Sequence, residues 1–219
     1  MTVTAVVPLP VGYAERRDAV FAPVAGLSAL VRVVRALGEV GVVVVAAARP
    51  LAVLAREALV GQRLSGVRVV EAEAPGDRVQ CVAAGLRAVD TNGHVVVHDI
   101  EWPMVGTDTL KQIVATLHDG SVAVLPVLPV TDSVKAVDAR GVVTATEERS
   151  ALRTVQYPRG FAADVLAMLV RQADSGSFDE LEAALTAGTP LTLIDGDDEA
   201  LSLELPRDAD YLAAVIAGR

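Results

Sequence analysis

The run Gly41-Val42-Val43-Val44-Val45-Ala46-Ala47-Ala48 contains no polar side chain. It is far shorter than the roughly 18 apolar residues that a membrane helix needs, and it is rich in β-branched valine. We therefore predict a buried β-strand over Val42–Ala47. Arg49 and Pro50 follow, and a helical pattern extends from Leu51 to about Leu59. A buried strand that leads directly into a helix is typical of a parallel sheet.

Similar runs recur on both sides of this segment. Further strands are predicted at Val3–Val7, Val67–Glu71, Val95–His98 and Val122–Pro126. Helical patterns lie between them, at Leu27–Leu37, Arg78–Val89 and Thr107–Leu117. Strands that alternate with helices of about ten residues build right-handed βαβ units. The sequence thus predicts an α/β fold, with a mostly parallel sheet and helices on both of its faces.

The alternation breaks after the fifth strand. Val134–Val137 and Val142–Thr146 alternate polar and apolar residues around the turn Asp138-Ala139-Arg140-Gly141, which predicts a β-hairpin. A hairpin inserted in an α/β domain often contacts a second subunit, so we expect residues 134–147 to form a dimerisation arm. Beyond it we predict helices at Ala162–Gln172, Asp179–Ala187 and Asp208–Ile216, and strands at Leu191–Ile194 and Leu201–Leu205. No linker-like change of composition appears, which predicts a single domain over residues 1–219.

The composition excludes several classes of protein. Of the 219 residues 52% are hydrophobic and only 3% are aromatic, so the core must consist of Ala, Val and Leu. Disordered, collagenous and disulfide-rich chains have other compositions. The lone Cys81 forbids an intrachain disulfide and fits a reducing compartment. No basic segment precedes the apolar stretch that begins at Met1-Thr2-Val3-Thr4, and no membrane-length run exists, so we expect a cytoplasmic protein.

The chain is acidic overall, and arginine far outnumbers lysine among its basic residues. The formal net charge is −9, which argues against a protein whose main work is binding nucleic acid, because phosphate neutralisation needs a basic face. Lys111 and Lys135 are the only lysines, and every other basic residue is arginine or histidine.

The loop after the first strand lies where ligands bind in open α/β sheets. It is Pro8-Leu9-Pro10-Val11-Gly12-Tyr13-Ala14-Glu15-Arg16-Arg17. A phosphate cradle needs glycines and backbone N–H groups, yet this loop has one glycine and two prolines. Neither GxGxxG nor GxxxxGK[ST] is present, which makes a NAD-binding oxidoreductase a distant hypothesis. Arg16 and Arg17 could contact a phosphate, and a solvated surface pair is an equal alternative.

Polar residues follow two later strands. Asp99 comes directly after the fourth strand and is a natural Mg²⁺ ligand, although an Asp that caps the next turn would look the same. His98 has no second histidine nearby and is expected to be structural. The segment Pro129–Lys135 contains Asp132 and Ser133, which alone would indicate a turn. Arg149 at the base of the hairpin would by default pair with a neighbouring glutamate.

In order, these pieces resemble the methylerythritol phosphate cytidylyltransferase family of the non-mevalonate isoprenoid pathway, over essentially the whole chain. The family pattern is roughly G-D-x-R-x-x-S-V-x-x-G-L, H-D-A-A-R-P, P-V-x-D-T-x-K and T-P-Q-x-F. The matching stretches here are Gly76-Asp77-Arg78 with Val82, Gly85 and Leu86, then His98-Asp99 with Pro103, then Pro129-Val130-Thr131-Asp132-Ser133-Val134-Lys135, and Arg149 followed by Gln156-Tyr157-Pro158-Arg159-Gly160-Phe161. The third match is the most specific.

The resemblance implies a Rossmann-like nucleotidyltransferase domain that transfers CMP from CTP to a sugar-alcohol phosphate and releases pyrophosphate. It also implies Mg²⁺ and a homodimer whose arms complete each other's substrate sites. By position, Asp99 would lie near the metal. Acceptor-facing residues would be Asp132, Ser133, Arg149 and Asp179, and nucleotide-facing residues would be Gly12, Gly76 and Cys81.

The main departures from the family pattern lie at positions where the resemblance implies phosphate binding. The family's first-loop Pro-Lys aligns with Ala19-Val20, and the lysine of its C-terminal strand aligns with Ser202. The nucleotide-contacting serine is Cys81, H-D-A-A-R-P has become His98-Asp99-Ile100-Glu101-Trp102-Pro103, and Phe178 replaces a threonine. An acidic run, Asp195 with Asp197-Asp198-Glu199, lies near the same C-terminal strand.

Two hypotheses about function remain open from the sequence. One is a pseudoenzyme, a silent or greatly impaired paralogue that binds a ligand or partner through the old pocket. The other is an active nucleotidyltransferase, with CTP or another nucleotide as substrate, in which Arg16 or Arg17 has taken over a catalytic lysine's role.

Overall fold

The computed structural model describes residues 3–90, 92–173 and 178–218, so Met1 and Thr2 of the N-terminal prediction lie outside the described residues. These residues form twelve strands: β1 (Val3–Leu9), β2 (Pro23–Val24), β3 (Leu27–Ser28), β4 (Val42–Ala47), β5 (Val67–Glu71), β6 (His94–Val97), β7 (Ala123–Pro129), β8 (Lys135–Val137), β9 (Val143–Thr146), β10 (Arg153–Val155), β11 (Arg159–Ala162) and β12 (Thr192–Asp195). The α-helices are α1 (Arg17–Phe21), α2 (Ala29–Leu37), α3 (Arg49–Leu59), α4 (Arg78–Leu86), α5 (Thr107–His118), α6 (Ala163–Gln172), α7 (Glu180–Thr186) and α8 (Ala209–Ala217).

The central sheet is mixed and mostly parallel, as predicted. Its strand order is β10-β7-β11-β6-β1-β4-β5, and β12 pairs with β7 as well. The strands β6, β1, β4 and β5 are parallel neighbours, which brings their carboxyl ends to one edge. The strands β10 and β11 run antiparallel to their partners. This edge is where the loops of the candidate site meet.

Two apolar layers cover the two faces of the sheet, and they are built from the small aliphatic residues that the composition predicts. Successive residues of β1 alternate between them: Ala5 and Val7 join one layer, and Val6 joins the other. Strand β4 is paired on both sides, with β1 and β5, and its residues from Val43 onward are all buried, which explains its uninterrupted apolar sequence. No helix in the part of the chain that the structure describes combines the length and apolar character needed to cross a membrane.

The strand predicted at Leu201–Leu205 is wrong. This segment is irregular, and its backbone is tied to the rest of the molecule by a hydrogen bond of 2.7 Å from Leu203 N–H to the Glu101 carbonyl. Leu203 and Leu205 are nevertheless buried, so the alternating pattern reflects side-chain packing without a strand ladder. The helix predicted from Leu27 begins at Ala29, because residues 23–28 form the β2–β3 hairpin and Ser28 caps the helix.

The predicted hairpin is present as β8 and β9, a separate two-stranded antiparallel sheet. Residues 139–150 are all exposed, and Val137, Val142 and Val143 each expose more than half of their surface. The hairpin does not pack against its own central sheet, which fits an arm. Its contact with a second subunit stays a prediction.

Candidate active site

The loop after β1 forms a short 3₁₀ turn, Val11–Ala14, at the carboxyl edge of the sheet. The N–H of Val11 donates to the Gly76 carbonyl at 2.7 Å, and the N–H of Tyr13 donates to the Pro10 carbonyl. Pro8 and Pro10 have no N–H. Several of the loop's potential phosphate donors are therefore absent or already used, although Gly12 itself is exposed.

Gly76 leads into α4 across from this loop. Its backbone has a φ of +82°, and a Cβ there would lie 2.8 Å from the Cβ of Ala48, so glycine is required on both counts. A groove of about 320 Å³ opens beside it, with Arg49, Glu71 and Glu73 as its charged lining. Cys81 is fully buried one turn into α4, and burial raises the pKa of its thiol to about 12. The structure therefore places Gly76 at a groove and Cys81 beneath it.

The two arginines proposed to replace a lysine point in different directions. The Nη2 of Arg16 lies 3.2 Å from the Oε1 of Glu101, which joins the first loop to the loop after β6. The Nε of Arg17 donates to the Ala14 carbonyl at 3.0 Å, so this side chain folds back on its own loop. Of the pair, only Arg16 reaches toward the segment that carries Asp99.

The two positions at which the resemblance predicts lost lysines, Val20 and Ser202, differ sharply in exposure. Val20 is fully buried in the core, whereas Ser202 is exposed. A cavity of about 10 Å³, which is at the limit for one water molecule, lies beside their chain neighbours Ala19 and Leu203. The cavity is lined by Tyr13, Ala19, Ile100, Glu101, Leu203 and Leu205. A side chain at position 20 thus faces the core and not a phosphate.

Both oxygens of the Asp99 carboxylate are already engaged. Its Oδ2 lies 2.6 Å from the Nη1 of Arg78, and its Oδ1 accepts the backbone N–H of Glu101 at 3.0 Å. Within the described ranges, no group of three or more His, Cys, Asp or Glu side chains is placed to hold a metal ion. Each oxygen keeps a further lone pair, but the Arg78 guanidinium held against Oδ2 repels a second cation, so the residues present do not fit Mg²⁺ in this arrangement.

Arg78 belongs to a larger ionic network behind Asp99. Its Nε donates to the Oε1 of Glu180 at 2.9 Å, and its Nη2 donates to the Tyr157 hydroxyl at 2.8 Å. Arg159 approaches Glu180 at 3.3 Å and Asp179 at 2.8 Å. Burial alone would lower the pKa of Arg78, but Glu180, Tyr157 and Asp99 outweigh it and raise that pKa above its ordinary value.

Asp179 holds two roles in this network. Its side chain caps α7 by accepting the N–H groups of Leu181 and Glu182, and it forms the ion pair with Arg159. Burial alone would raise the pKa of Asp179, but Arg159 and the two N–H donors outweigh it and keep the pKa below its ordinary value. The predicted acceptor-site residue is thus engaged by its own chain.

Four residues of this network were not predicted from the sequence as site residues: Arg78, Tyr157, Arg159 and Glu180. A signal was available, because Tyr157 and Arg159 stand where the T-P-Q-x-F pattern has threonine and glutamine. A buried arginine at the glutamine position needs a carboxylate partner. The consecutive acids Asp179 and Glu180 supply it.

Two neighbours of the network are held by backbone contacts. His98 is fully buried, its Nε2 lies 2.8 Å from the Trp102 carbonyl, and burial lowers the pKa of its imidazole to about 4. A carbonyl can only accept, so Nε2 carries the proton. The structural role predicted for His98 fits this geometry. Trp102 is half-buried, with its ring centroid 6.1 Å from that of Tyr157.

Gln156 fixes the acidic turn that follows β12. Its Nε2 donates to the carbonyls of Asp197 and Ala200, and its Oε1 accepts the N–H of Asp197, all within 2.9 Å. Gly196 is required here, because a Cβ would collide with the Gln156 oxygen. The turn borders an open groove of about 610 Å³. It carries Asp197, Asp198 and Glu199, and Asp195 ends β12 beside it.

The remaining predicted residues lie at the base of the arm. The side chains of Asp132 and Ser133 are exposed and have no hydrogen-bond partner among the residues that the structure describes. Arg149 donates to the Thr131 carbonyl, in place of the expected pair with a neighbouring glutamate. These three residues are therefore near one another along the arm, and the structure shows no contact between them and the Arg78 network in the described part of the chain.

Comparison with known proteins gives one consistent family. The model of IspD, 2-C-methyl-D-erythritol 4-phosphate cytidylyltransferase, matches residues 12–217. The cytidylyltransferase of that name from Rhodococcus jostii (strain RHA1) is 34% identical over 205 residues, covering 92% of this chain and 88% of the relative. The one from Frankia casuarinae is 38% identical over 196 residues, covering 88% and 71%.

Solved structures agree. The crystal structure of the cytidylyltransferase from Thermus thermophilus superposes with a TM-score of 0.76 at 25% identity, covering 99% of this chain and all of the other. The 4-diphosphocytidyl-2C-methyl-D-erythritol synthase from Anaerococcus prevotii reaches 0.80 at 16% identity, with 99% and 98% covered, and so supports the fold alone.

Proposed function

The chain belongs to the 2-C-methyl-D-erythritol 4-phosphate cytidylyltransferase family, and from this membership we propose that it retains the family's fold while its cytidylyltransferase activity is lost or greatly reduced. The family reaction transfers CMP from CTP to a sugar-alcohol phosphate in isoprenoid precursor synthesis. The observation that carries the proposal is the burial of Val20, which aligns with a catalytic lysine and faces the core.

Loss of cations at the phosphates has a large expected effect. Nucleotidyl transfer depends mainly on positioning and on positive groups that stabilise charge on the phosphates. Removal of one such donor typically costs about 10²–10³ in rate. Neither Val20 nor Ser202 carries a charge, and Arg17 is turned toward Ala14. A fall of several orders of magnitude in turnover is therefore expected.

Acidic residues act in the same direction wherever they approach the phosphates. Glu101 stands at the position of an alanine in the family pattern, although Arg16 pairs with it, and the turn held by Gln156 carries three acidic residues. A carboxylate about 5 Å from a phosphate charge repels it by roughly 3 kcal/mol at an effective dielectric constant of about 20. Weak binding of a triphosphate follows.

The test measures CTP binding and turnover separately. Trp102 is the one tryptophan of the chain and follows Asp99 by three residues, so its fluorescence reports on the site. We expect calorimetry and fluorescence titration with CTP and Mg²⁺ to give a dissociation constant above about 1 mM, equivalent to less than about 4.1 kcal/mol. Pyrophosphate release with a sugar-alcohol phosphate should stay near background. Micromolar CTP binding with turnover would overturn the proposal.

The alternative is an active enzyme in which Arg16 supplies the missing cation. It is favoured by one observation, because the exposed Arg16 guanidinium reaches the loop that carries Asp99 and is held there by Glu101. Arg17 offers a matched control, since it has the same charge but contacts its own loop. In this case Arg16→Ala should abolish CTP binding, whereas Arg17→Ala should leave it unchanged.

We also propose that two copies of the chain associate through the β8–β9 arm. The support is its exposed valines and its separation from the central sheet. In such a dimer Asp132, Ser133 and Arg149 would lie at the subunit boundary, where the family resemblance expects the acceptor phosphate. A cytoplasmic location is proposed on the lone buried thiol of Cys81.

A further inference from the structure

The cation that neutralises Asp99 is part of this chain. Asp99 lies just beyond β6, and Arg78 reaches it from the first turn of α4. The 2.6 Å separation between Nη1 and Oδ2 is that of a strong charge-assisted hydrogen bond. The two side chains expose only 17% and 18% of their surface, so solvent screens the pair weakly.

A second layer prevents Arg78 from leaving this position. Glu180 has no exposed side-chain surface and accepts hydrogen bonds from both Nε and Nη2 of Arg78. The Tyr157 hydroxyl accepts another from Nη2. If Arg78 rotated away to admit a metal ion, Glu180 would lose its principal partner inside the protein, which is costly for a buried charge.

We propose that Asp99 in this chain is a structural ion-pair partner of Arg78 and does not bind a divalent metal ion. The pair connects the end of β6 to α4, and through Glu180 it connects both to α7. This inference rests on the proposed function for its context and concerns the same site. It makes a statement about metal binding and stability, and none about turnover.

The two roles of Asp99 have opposite effects on stability. A carboxylate that awaits a metal is an unpaired charge, so its replacement by the isosteric amide is neutral or stabilising, and added metal stabilises the native state by mass action. A carboxylate already paired with arginine has the opposite behaviour. Its replacement destabilises the native state, and added metal does not change the stability.

The experiment is thermal unfolding of the full chain with and without about 10 mM Mg²⁺. We expect Asp99→Asn to lower the Tm by about 4 °C or more, and Mg²⁺ to shift the wild-type Tm by less than about 1 °C. A site with a dissociation constant of about 1 mM would instead give a rise of about 3 °C or more. Asp108→Asn is the matched control, because that carboxylate is fully exposed and pairs only with Lys111 at the surface.

A double-variant cycle keeps the test decisive for the pair itself. Arg78→Gln and Asp99→Asn together should lower the Tm by clearly less than the sum of the two single effects, since each removes the same contact. Additive effects, a Tm raised by Asp99→Asn, or an Asp99-dependent rise with Mg²⁺ would each overturn the inference. The Mg²⁺ measurement on the wild type needs no variant, so it stands even if Arg78→Gln does not fold.

The outcomes also separate this inference from the proposed function. Turnover of CTP without an Mg²⁺-dependent Tm shift that requires Asp99 would overturn the proposed loss of activity and leave the ion-pair role intact. An Asp99-dependent rise of the Tm with Mg²⁺, in a protein without turnover, would overturn the ion-pair role and leave the proposed loss of activity intact.

Discussion

Glu180 accepts a hydrogen bond of 2.9 Å from the Nε of Arg78, although 102 residues separate them and the Glu180 side chain has no contact with solvent. Arg159 approaches the same carboxylate from the other side, at 3.3 Å. One buried acid therefore holds two arginines, which come from α4 and β11. We expect the stability of this region to depend on this shared charge, although Asp99 and Asp179 each pair with one of the two arginines as well.

Glu180→Gln tests the dependence directly. We expect it to lower the free energy of unfolding by about 3 kcal/mol, because it removes the shared partner of two largely buried guanidinium groups. Chemical denaturation at neutral pH measures the change. Glu182→Gln is the control on the same helix, since that side chain is exposed and should change the free energy by less than about 0.5 kcal/mol. A loss below about 1 kcal/mol for Glu180→Gln would contradict the role of the network.

Val20→Lys tests where the aligned lysine position points. Since Val20 is fully buried, we expect the substitution to lower the free energy of unfolding by about 3 kcal/mol or more, by placing an ammonium group in an apolar core. CTP affinity should not improve. Asp18→Lys introduces the same side chain at an exposed position of α1 and should cost about 1 kcal/mol or less. A well-folded Val20→Lys protein that binds CTP would show that the position faces the pocket.

His98 should make stability depend on pH. The folded-state pKa of about 4 lies below the ordinary 6.5, so the unfolded chain takes up a proton first as the pH falls below 6.5. The free energy of unfolding should therefore drop by about 2 kcal/mol between pH 7.5 and 5 from this residue alone. His98→Gln keeps a donor for the Trp102 carbonyl but does not titrate. We expect its loss over the same range to be smaller by that amount, and an equal loss would assign the pH dependence to other groups.

The arm prediction concerns mass in solution. We expect light scattering at about 10 µM to give twice the chain mass of 22.7 kDa, because the exposed arm valines should be covered by a second copy. Val143→Asp places a charge opposite Val137 in the β8–β9 register and should shift the mass to that of the monomer. Val53→Asp, at an equally exposed valine of α3, should leave it unchanged. A monomeric wild type would remove the arm from consideration as an interface.

Local pattern predicted the regular elements well. The strands at Val42–Ala47 and Val67–Glu71 have the predicted bounds. They could be predicted because the valines that mark a strand follow one another in the sequence. The strands β10 and β11 were not predicted. They are three and four residues long and carry arginines, and their partners lie in β7 and β6, so nothing in their own sequence marks them.

The same limit applies to the site. The family resemblance identified Asp99 and Asp179, which lie at the ends of the network. It matched Arg78 to the family pattern without giving it a role and did not identify Glu180, because two charges far apart in sequence look like ordinary surface residues until the fold brings them together. Whether a valine at position 20 faces a pocket or the core likewise depends on how α1 packs, which a one-dimensional pattern does not contain.

The turn after β12 has a consequence for how this protein could have diverged. Gln156 holds the turn through backbone atoms of Asp197 and Ala200, the shape needs glycine at 196, and the Asp197 carboxylate accepts the N–H of Glu199 at 2.9 Å. The neighbouring Asp198 is exposed, so a substitution at that position can change the electrostatic field over the adjoining groove while the fold stays fixed. Charge over this groove can therefore diverge separately from the shape of the turn.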